Sequence, residues 1–514
     1  MSIPSFHMHT PMAFVWQSTS LPHPGTITIE AETLQASKVL GTNLFIDDYL
    51  VEESRGLTRT THRPEKLPEP ILRKEELWHV GPLWFMKVVH DVETDLFRAW
   101  YNVINPGESP KYRYAFAESK DGIQWERPNL GLVEAGGSTR NNLFIGPAPG
   151  WKGCVGLFLA DDGPGCADRS RRFKLGYFRP RTPGGIPPAG LCVAFSTDGL
   201  RFTEHPGNPV IPFETKDVQD SHRLLPEEPD YEYTIGDIID GCWDPLKREY
   251  LLGCKIKQSG YPGKPHYYEE GCRRCVGMST SKDFVTWPRP RLIVTPDPRN
   301  GLEEFYGFKP MVRGDLYIGF LRVLRDDLPA DEGGPIEGIG WTELMTSRDG
   351  HEWTRYQEPF IDREPKLAKW DHAMAWFADC ITVAEKEYVY YGGYSAGHKV
   401  GDRAVGLAFL RKNGFVSRDA GENEGILRTP LVQLGGGTIS VNAAVRDELC
   451  VRITDVDGGP VSGFDWADCA PIRGDSVAHP VRWTGDPARL PATSVRLEFR
   501  LRQGELYGFD VTER

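Results

Sequence analysis

The chain has 514 residues, of which glycine supplies 55 and proline 41, well above the roughly 12% that the two together usually hold. Its 24 Phe, 19 Tyr and 14 Trp give enough aromatic surface to offset chain entropy on burial, which excludes disorder. A net charge of −12, with no dense Lys/Arg stripe, argues against a nucleic-acid partner. No run approaches the ~20 apolar residues of a membrane span, so no membrane partner is expected.

Residues 1–42 read as an N-terminal extension. Met1–Pro24 has no basic start and no continuous apolar stretch, so no secretory signal is expected. The ten cysteines lie between Cys154 and Cys469 without framework spacing, which suits thiols in a cytoplasmic protein. Cys272 and Cys275 form a lone C-x-x-C with no second pair or His pair, so neither metal nor cofactor is expected. Asn43–Val51 reads as a strand that closes the main domain or packs on the C-terminal one.

From there a short pattern recurs: Ser, any residue, Asp, usually Gly, then an aromatic three residues after the Gly slot. The copies are Ser119-Lys-Asp121-Gly122-Ile-Gln-Trp125, Ser196-Thr-Asp198-Gly199-Leu-Arg-Phe202, Ser281-Lys-Asp283-Phe284-Val-Thr-Trp287 and Ser347-Arg-Asp349-Gly350-His-Glu-Trp353. A decayed fifth stands at Arg411-Lys-Asn413-Gly414-Phe415, and successive starts lie 64 to 85 residues apart. Asp-Gly favours a tight turn, because Gly accepts positive φ and the Asp side chain accepts from nearby N–H groups. An alternating strand precedes each copy, and further upstream lies another hairpin, around Asp91–Asp95, Asp244-Pro245, Gly314-Asp315 and Glu385–Glu387. Two hairpins per repeat make a four-stranded unit, and five such units arranged radially make a β-propeller. A β-sandwich array would also use such turns singly; the in-frame copies favour the propeller.

After Phe415 the character changes. Gly435–Gly437 is followed by short alternating strands near Thr438–Val445, Glu448–Ile453, Val477–Trp483, Val495–Leu501 and Glu505–Val511, with Pro480 marking an edge strand. The expected fold is therefore all-β: a five-bladed β-propeller over residues 43–418, followed by a C-terminal β-sandwich over 419–514.

The first strand of each repeat should line the propeller axis, so ionisable residues there are site candidates. Asp237 stands in the β-branched run Tyr233–Trp243, Glu304 beside aromatics that would raise its pKa by desolvation, and Asp371 between Trp370 and Trp376. These three are the expected catalytic residues. Tyr306, Trp370 and Trp376 would stack on sugar rings, Lys309 or His372 would hydrogen-bond hydroxyls, and His398 and His79 could face the same mouth. Asp240 and Asp244 read as structural, at a bend and a turn.

With these residues in place the sequence resembles the five-bladed propeller glycoside hydrolases of families 32, 43 and 68, over about residues 43–514. The resemblance rests on the five repeats ending in Ser-x-Asp-Gly-x-x-Trp and on the C-terminal sandwich. It implies an axial pocket in which two Asp and one Glu act as nucleophile or base, transition-state stabiliser and general acid. The fructosidase signature Trp-Met-Asn-Asp-Pro-Asn-Gly is absent. The acids also come from repeats three to five, whereas the resemblance places them in the first three, so roles do not transfer by position.

The expected activity is hydrolysis of a furanoside or short oligosaccharide, with Glu304 as general acid, Asp237 as nucleophile or base and Asp371 orienting substrate. The expected partner is a small carbohydrate, with the oligomeric state open. Two alternatives remain. One is a non-catalytic carbohydrate-binding propeller. The other is a glycoside phosphorylase, which would hold phosphate with a cationic cluster such as Arg313, Lys255 and His398.

Overall fold

The fold is given by a computed structural model, which describes residues 37–74, 81–104, 112–145, 154–181, 188–214, 231–233, 235–265, 270–364, 370–435, 437–485 and 493–512. Helix among these residues is limited to two 3₁₀ turns, Arg169–Arg171 and Pro298–Asn300. No described helix is long and apolar enough to cross a membrane.

Five antiparallel units, numbered here as sheets, follow one another along the described residues, the fourth and fifth joined by a parallel pairing of Gly340 with Met374. The first is Gly81–Asp91, Leu96–Ile104, Tyr112–Ser119 and Leu143–Ile145. In the second, Val155–Asp161, Phe173–Arg179 and Gly190–Ser196 are flanked by two short pairings, Thr203–Glu204 and Ile211–Pro212. The third has Tyr231–Tyr233 and Ile239–Asp244 sharing one neighbour, Glu249–Ser259, followed by Cys272–Ser281 and Arg291–Val294. The fourth runs through Glu304–Arg313, Leu316–Arg325, Ile339–Ser347 and Thr354–Ile361, and the fifth through Met374–Val383, Lys386–Tyr394 and Arg403–Arg411. Gly81–Asp91, Val155–Asp161, Ile239–Asp244, Glu304–Arg313 and Met374–Val383, called the first strands below, lie each against the next, and Met374–Val383 returns to Gly81–Asp91, so the five close into a ring.

The repeated turns have one construction. In the first copy Ser119 Oγ accepts from the Gly122 N–H at 2.9 Å, and Asp121 Oδ1 accepts from the Ile123 and Gln124 N–H groups at 2.9 and 2.8 Å. The same three bonds recur at Ser196–Asp198, Ser281–Asp283 and Ser347–Asp349. Glycine is needed twice over at two of them. Gly122 and Gly199 have φ of 72° and 76°, and a Cβ there would stand 2.9 Å from Tyr390 and Trp100 respectively. Those two rings donate to the Gly122 and Gly199 carbonyls, tying the fifth sheet to the first and the first to the second.

The third copy solves the same turn differently. Phe284 takes φ of 67° and is fully buried, with its ring against Phe158, Tyr250 and Trp287. The decayed copy is a different turn, with Asn413 at φ of 56° and the Gly414 N–H bonded to the Arg411 carbonyl. Its outgoing strand, Val416–Ala420, leaves the ring for the C-terminal sheet. The fifth sheet therefore takes its fourth strand from far upstream: Lys66 pairs with Ala408 and Glu65 with Phe409.

The C-terminal region is one eight-stranded sheet built on two 17-residue strands, Thr438–Thr454 and Arg496–Thr512. Phe499 and Phe509 lie ten residues apart on the same strand, about 33 Å if extended, yet their rings are 5.7 Å apart. The strand thus doubles back near Gln503, which has φ of 48°, and the two halves enclose Phe45, Val441, Val451 and Leu497. Among the described residues Ile472–Pro480 pairs on one side only, with Thr438–Thr454, as Pro480 at an edge requires. Of the two places expected for Asn43–Val51, the one on the C-terminal region is the one seen. Gly41–Leu44, Glu53–Arg55 and Thr58–Thr61 all pair within the C-terminal sheet, and ring closure falls to Glu65–Lys66.

Replacing Phe284 with glycine relieves about 1–2 kcal/mol of left-handed backbone strain but forfeits a buried ring whose truncation costs about 3–5 kcal/mol. Phe284→Gly is therefore expected to lower unfolding stability by about 2 kcal/mol in a denaturant titration; a stabilised variant would show that the ring does not hold the turn.

Candidate active site

Each of the five first strands carries a break in register. The shifts fall between Pro82 and Met86, Val155 and Phe158, Phe305 and Gly307, and Phe377 and Asp379, while residues 235–238 stand outside the strands of the third sheet. Bulges of this kind re-aim side chains next to functional sites. Asp237 sits in the interruption rather than inside a strand, framed by Gly236 N–H to Lys255 O at 2.8 Å and Lys255 N–H to Ile238 O at 2.9 Å. Tyr306 sits in the bulge of the fourth sheet.

These irregular segments bring side chains together where the first strands begin. Lys255 forms an ion pair with Asp237 and lies 5.2 Å over the Tyr306 ring, and the Arg274 guanidinium lies 5.6 Å from the same ring. Trp376 stacks on Tyr306 at 4.6 Å, and His398 meets it edge-on at 4.7 Å. Arg274 is paired with Glu304, whose Oε1 also accepts the Arg274 N–H at 3.1 Å, and reaches Asp326 at 3.5 Å. Arg403 adds a further cation, over the Tyr394 ring at 4.9 Å, and donates to the His398 carbonyl at 3.2 Å.

Access differs sharply among these groups. The Asp237 side chain keeps 45% of its surface exposed and Tyr306 is half-buried, whereas Glu304 and Trp376 are completely covered. Trp376 therefore supports Tyr306 from behind, a correction to its expected place against a sugar ring.

The two carboxyl groups are pushed in opposite directions. Burial works to raise Asp237, but Lys255, by charge and hydrogen bond, outweighs it and holds the group below the usual carboxylate range. At Glu304 burial dominates; with Asp326 adding to it and Arg274 only partly opposing, the pKa is raised to about 7. His398 is pushed well below the ordinary imidazole value by burial and then by Arg274, Lys399, Arg403 and Lys255, so it is neutral at pH 7.

The other expected site residues lie elsewhere. Asp371 precedes the strand Met374–Val383 in a turn and is buried, 2.6 Å from Lys66 Nζ, and accepts from Tyr391 Oη at 3.3 Å. Trp370 stacks on Tyr391 and donates to the Pro68 carbonyl. His372 is buried, with Nε2 2.9 Å from Asp331. Lys309 points into an ion network further along the axis, 2.7 Å from Asp240 and 3.3 Å from Asp379. Arg313 is paired with Glu387, away from Lys255 and His398. His79 lies outside the described residues. Among the described residues no group of three or more His, Cys, Asp or Glu side chains is placed to hold a metal ion.

No family model matches the chain, and no curated protein matches it. Among solved structures it is similar to a glycoside hydrolase at 15% identity and a TM-score of 0.44, covering 68% of this chain and 92% of that one. It is also similar to the GH32 beta-fructofuranosidase of Bombyx mori, at 12% identity, a TM-score of 0.40, and 88% and 94% coverage. A glycosyl hydrolase from Bacteroides ovatus follows at 13% identity, a TM-score of 0.38, and 68% and 94% coverage. Similarity at this depth assigns no residue and no reaction.

Arg274, Asp326, Arg403 and Asp379 are not among the sequence candidates. Asp379 carries the same signal as Asp237, a carboxylate in an apolar strand, so the sequence held a clue to it. Arg274 sits third in Cys272–Ser281, where nothing local marks it as facing Glu304.

Asp371 and Lys66 make a structural pair, so Asp371→Asn is expected to lower stability while leaving turnover intact. The cost should be about 2 kcal/mol, less than the 3–5 of a fully buried pair, because Lys66 keeps 23% of its side chain exposed. A denaturant titration and steady-state rates together check this; a collapse of kcat at unchanged stability would restore Asp371 to the site.

Proposed function

We propose that the chain is a glycoside hydrolase of furanosides or short oligosaccharides, its five sheets being the blades of a propeller and its C-terminal sheet a sandwich. The observation that carries this is a pair of carboxyl groups at one end of the ring with opposed protonation. Asp237 is accessible and held ionised; Glu304 is held protonated up to about pH 7. Glycoside hydrolysis needs that division, a proton for the leaving oxygen and a carboxylate to attack the anomeric carbon or activate water.

In this reading the exposed face of Tyr306, held rigid by Trp376, receives a sugar ring, and Lys255 both fixes Asp237 and donates to a hydroxyl. Asp237 acts as nucleophile or base and Glu304 as acid. Glu304 is covered in the unliganded chain, and Arg274 is the side chain that must turn aside for its proton to reach the glycosidic oxygen. The phosphorylase reading draws support from Lys255, Arg274 and Arg403 around His398, and phosphate dependence of cleavage separates the two.

Glu304→Gln and Asp237→Asn are each expected to reduce kcat about 10²–10⁴-fold on nitrophenyl furanosides and pyranosides, with circular dichroism unchanged. Full activity in either variant rejects the assignment.

The pH profile gives an independent check. Glu304 must be protonated, so kcat/KM should fall as pH rises through about 7. Asp237 must be ionised, so the acid limb should lie below the ordinary aspartate range. Arg274 lowers the Glu304 pKa, so Arg274→Met should move the alkaline limb to higher pH.

A further inference from the structure

The C-terminal sheet carries a pair of thiols that the sugar chemistry does not use. Leu449, Val451 and Ile453 point into the apolar core of that region, so Cys450, alternating with them along the strand, faces the other way. It stands opposite Arg500 in register, with its Sγ 3.6 Å from Glu448 Oε1. On the edge of the strand away from Arg496–Thr512, Val451 is held by side chains instead of a neighbouring strand. Its N–H donates to Cys469 Sγ at 3.3 Å, and its carbonyl accepts from Trp483 Nε1 at 2.7 Å. That nitrogen is two bonds from the Cys450 Cα, which brings the two thiols together, hydrogen-bonded to one another. Neither is in a disulfide.

Their surroundings set these two apart from other cysteines of the chain. Burial pushes the thiols of Cys192, Cys242 and Cys275 up to about 12, which keeps them protonated and inert. At Cys450 the hydrogen bond from Cys469 opposes burial, Arg500 adds to it by hydrogen bond and charge, and the thiol is held below its ordinary range despite Glu448. Cys469, which donates that bond and is itself buried, is pushed up. In such a pair the more acidic thiol reacts first and the other resolves it.

We propose that Cys450 and Cys469 are an oxidation site, a dithiol that hydrogen peroxide closes into a disulfide. The Cys450 thiolate attacks one peroxide oxygen, the O–O bond breaks, and the departing hydroxide takes a proton to leave as water. Cys450 is then a sulfenic acid. The Cys469 sulfur attacks the Cys450 sulfur, its proton passes to the sulfenic hydroxyl, and a second water departs. The two thiols have lost two electrons and the peroxide has gained them. Peroxide is close to water in size, which suits a pair of which only 1% and 6% is exposed. The new bond ties Cys469 to the strand edge that it already caps through Val451. The proposal stands independently of the glycosidase reading.

Trypsin separates the two thiols, because Asp447–Arg452 carries Cys450 and Ile453–Arg473 carries Cys469. The reduced full chain is treated with hydrogen peroxide, blocked with N-ethylmaleimide in denaturant, digested without reductant and weighed by mass spectrometry. The two peptides are expected as one species, two hydrogens lighter than their sum, which dithiothreitol splits. Cys469→Ser should leave a sulfenic acid at Cys450 that dimedone labels, whereas Cys450→Ser should leave Cys469 unlabelled. The mapping of the unaltered chain decides the matter even if neither variant folds. Peptides still separately blocked with N-ethylmaleimide after peroxide, or Cys450 joined to a different cysteine, overturn the proposal; dimedone on Cys469 in place of Cys450 overturns the order of attack.

Discussion

Glu65–Lys66 forms the fourth strand of the fifth sheet, and the Lys66 ammonium neutralises Asp371 from that same two-residue strand. The rest of the ring depends on this contact. Without it Arg403–Arg411 would be an open edge of unpaired N–H and C=O groups, a template for pairing with another chain. Neighbouring bonds extend the closure, from Leu67 N–H to Leu407 O and from Ile71 N–H to Val405 O, both 2.9 Å. Once the ring is closed, the first strands are fixed in their mutual positions, and the side chains at their two ends have defined neighbours.

Within that frame the breaks in register decide what each first strand presents. A regular strand alternates sides with a period of two, so an added residue changes which side chain faces the axis. The bulge in the fourth sheet turns Tyr306 toward Trp376 and His398, and the interruption in the third leaves Asp237 exposed beside Lys255. The one in the fifth places Asp379 between Lys87 and Lys309. The ring thus carries a mixed aromatic and charged group at one end and an ion network toward the other, joined by the same five strands.

The sequence made the repeat legible because its turn chemistry is local. Ser, Asp and the residue with positive φ act within six positions, and Phe284 could be recognised as a variant because the bonds around it do not need glycine. Pro480 marked its edge for the same reason. Asp237 and Glu304 could be found as carboxylates among apolar neighbours. What could not be read were partners distant in sequence: Lys66 for Asp371, Arg274 for Glu304, Asp240 for Lys309. The strand after Asp371 begins at Met374, and the turn between them sets the carboxylate against Lys66.

Lys66 and Asp371 are 305 positions apart. A contact so distant in sequence forms late, because the entropy of closing the loop must be met before the contact contributes. During synthesis four sheets and most of the fifth can assemble while the final edge waits for a segment made long before. The N-terminal strand must stay unengaged through that interval, which makes the newborn chain most exposed to pairing with a second copy just before its ring shuts.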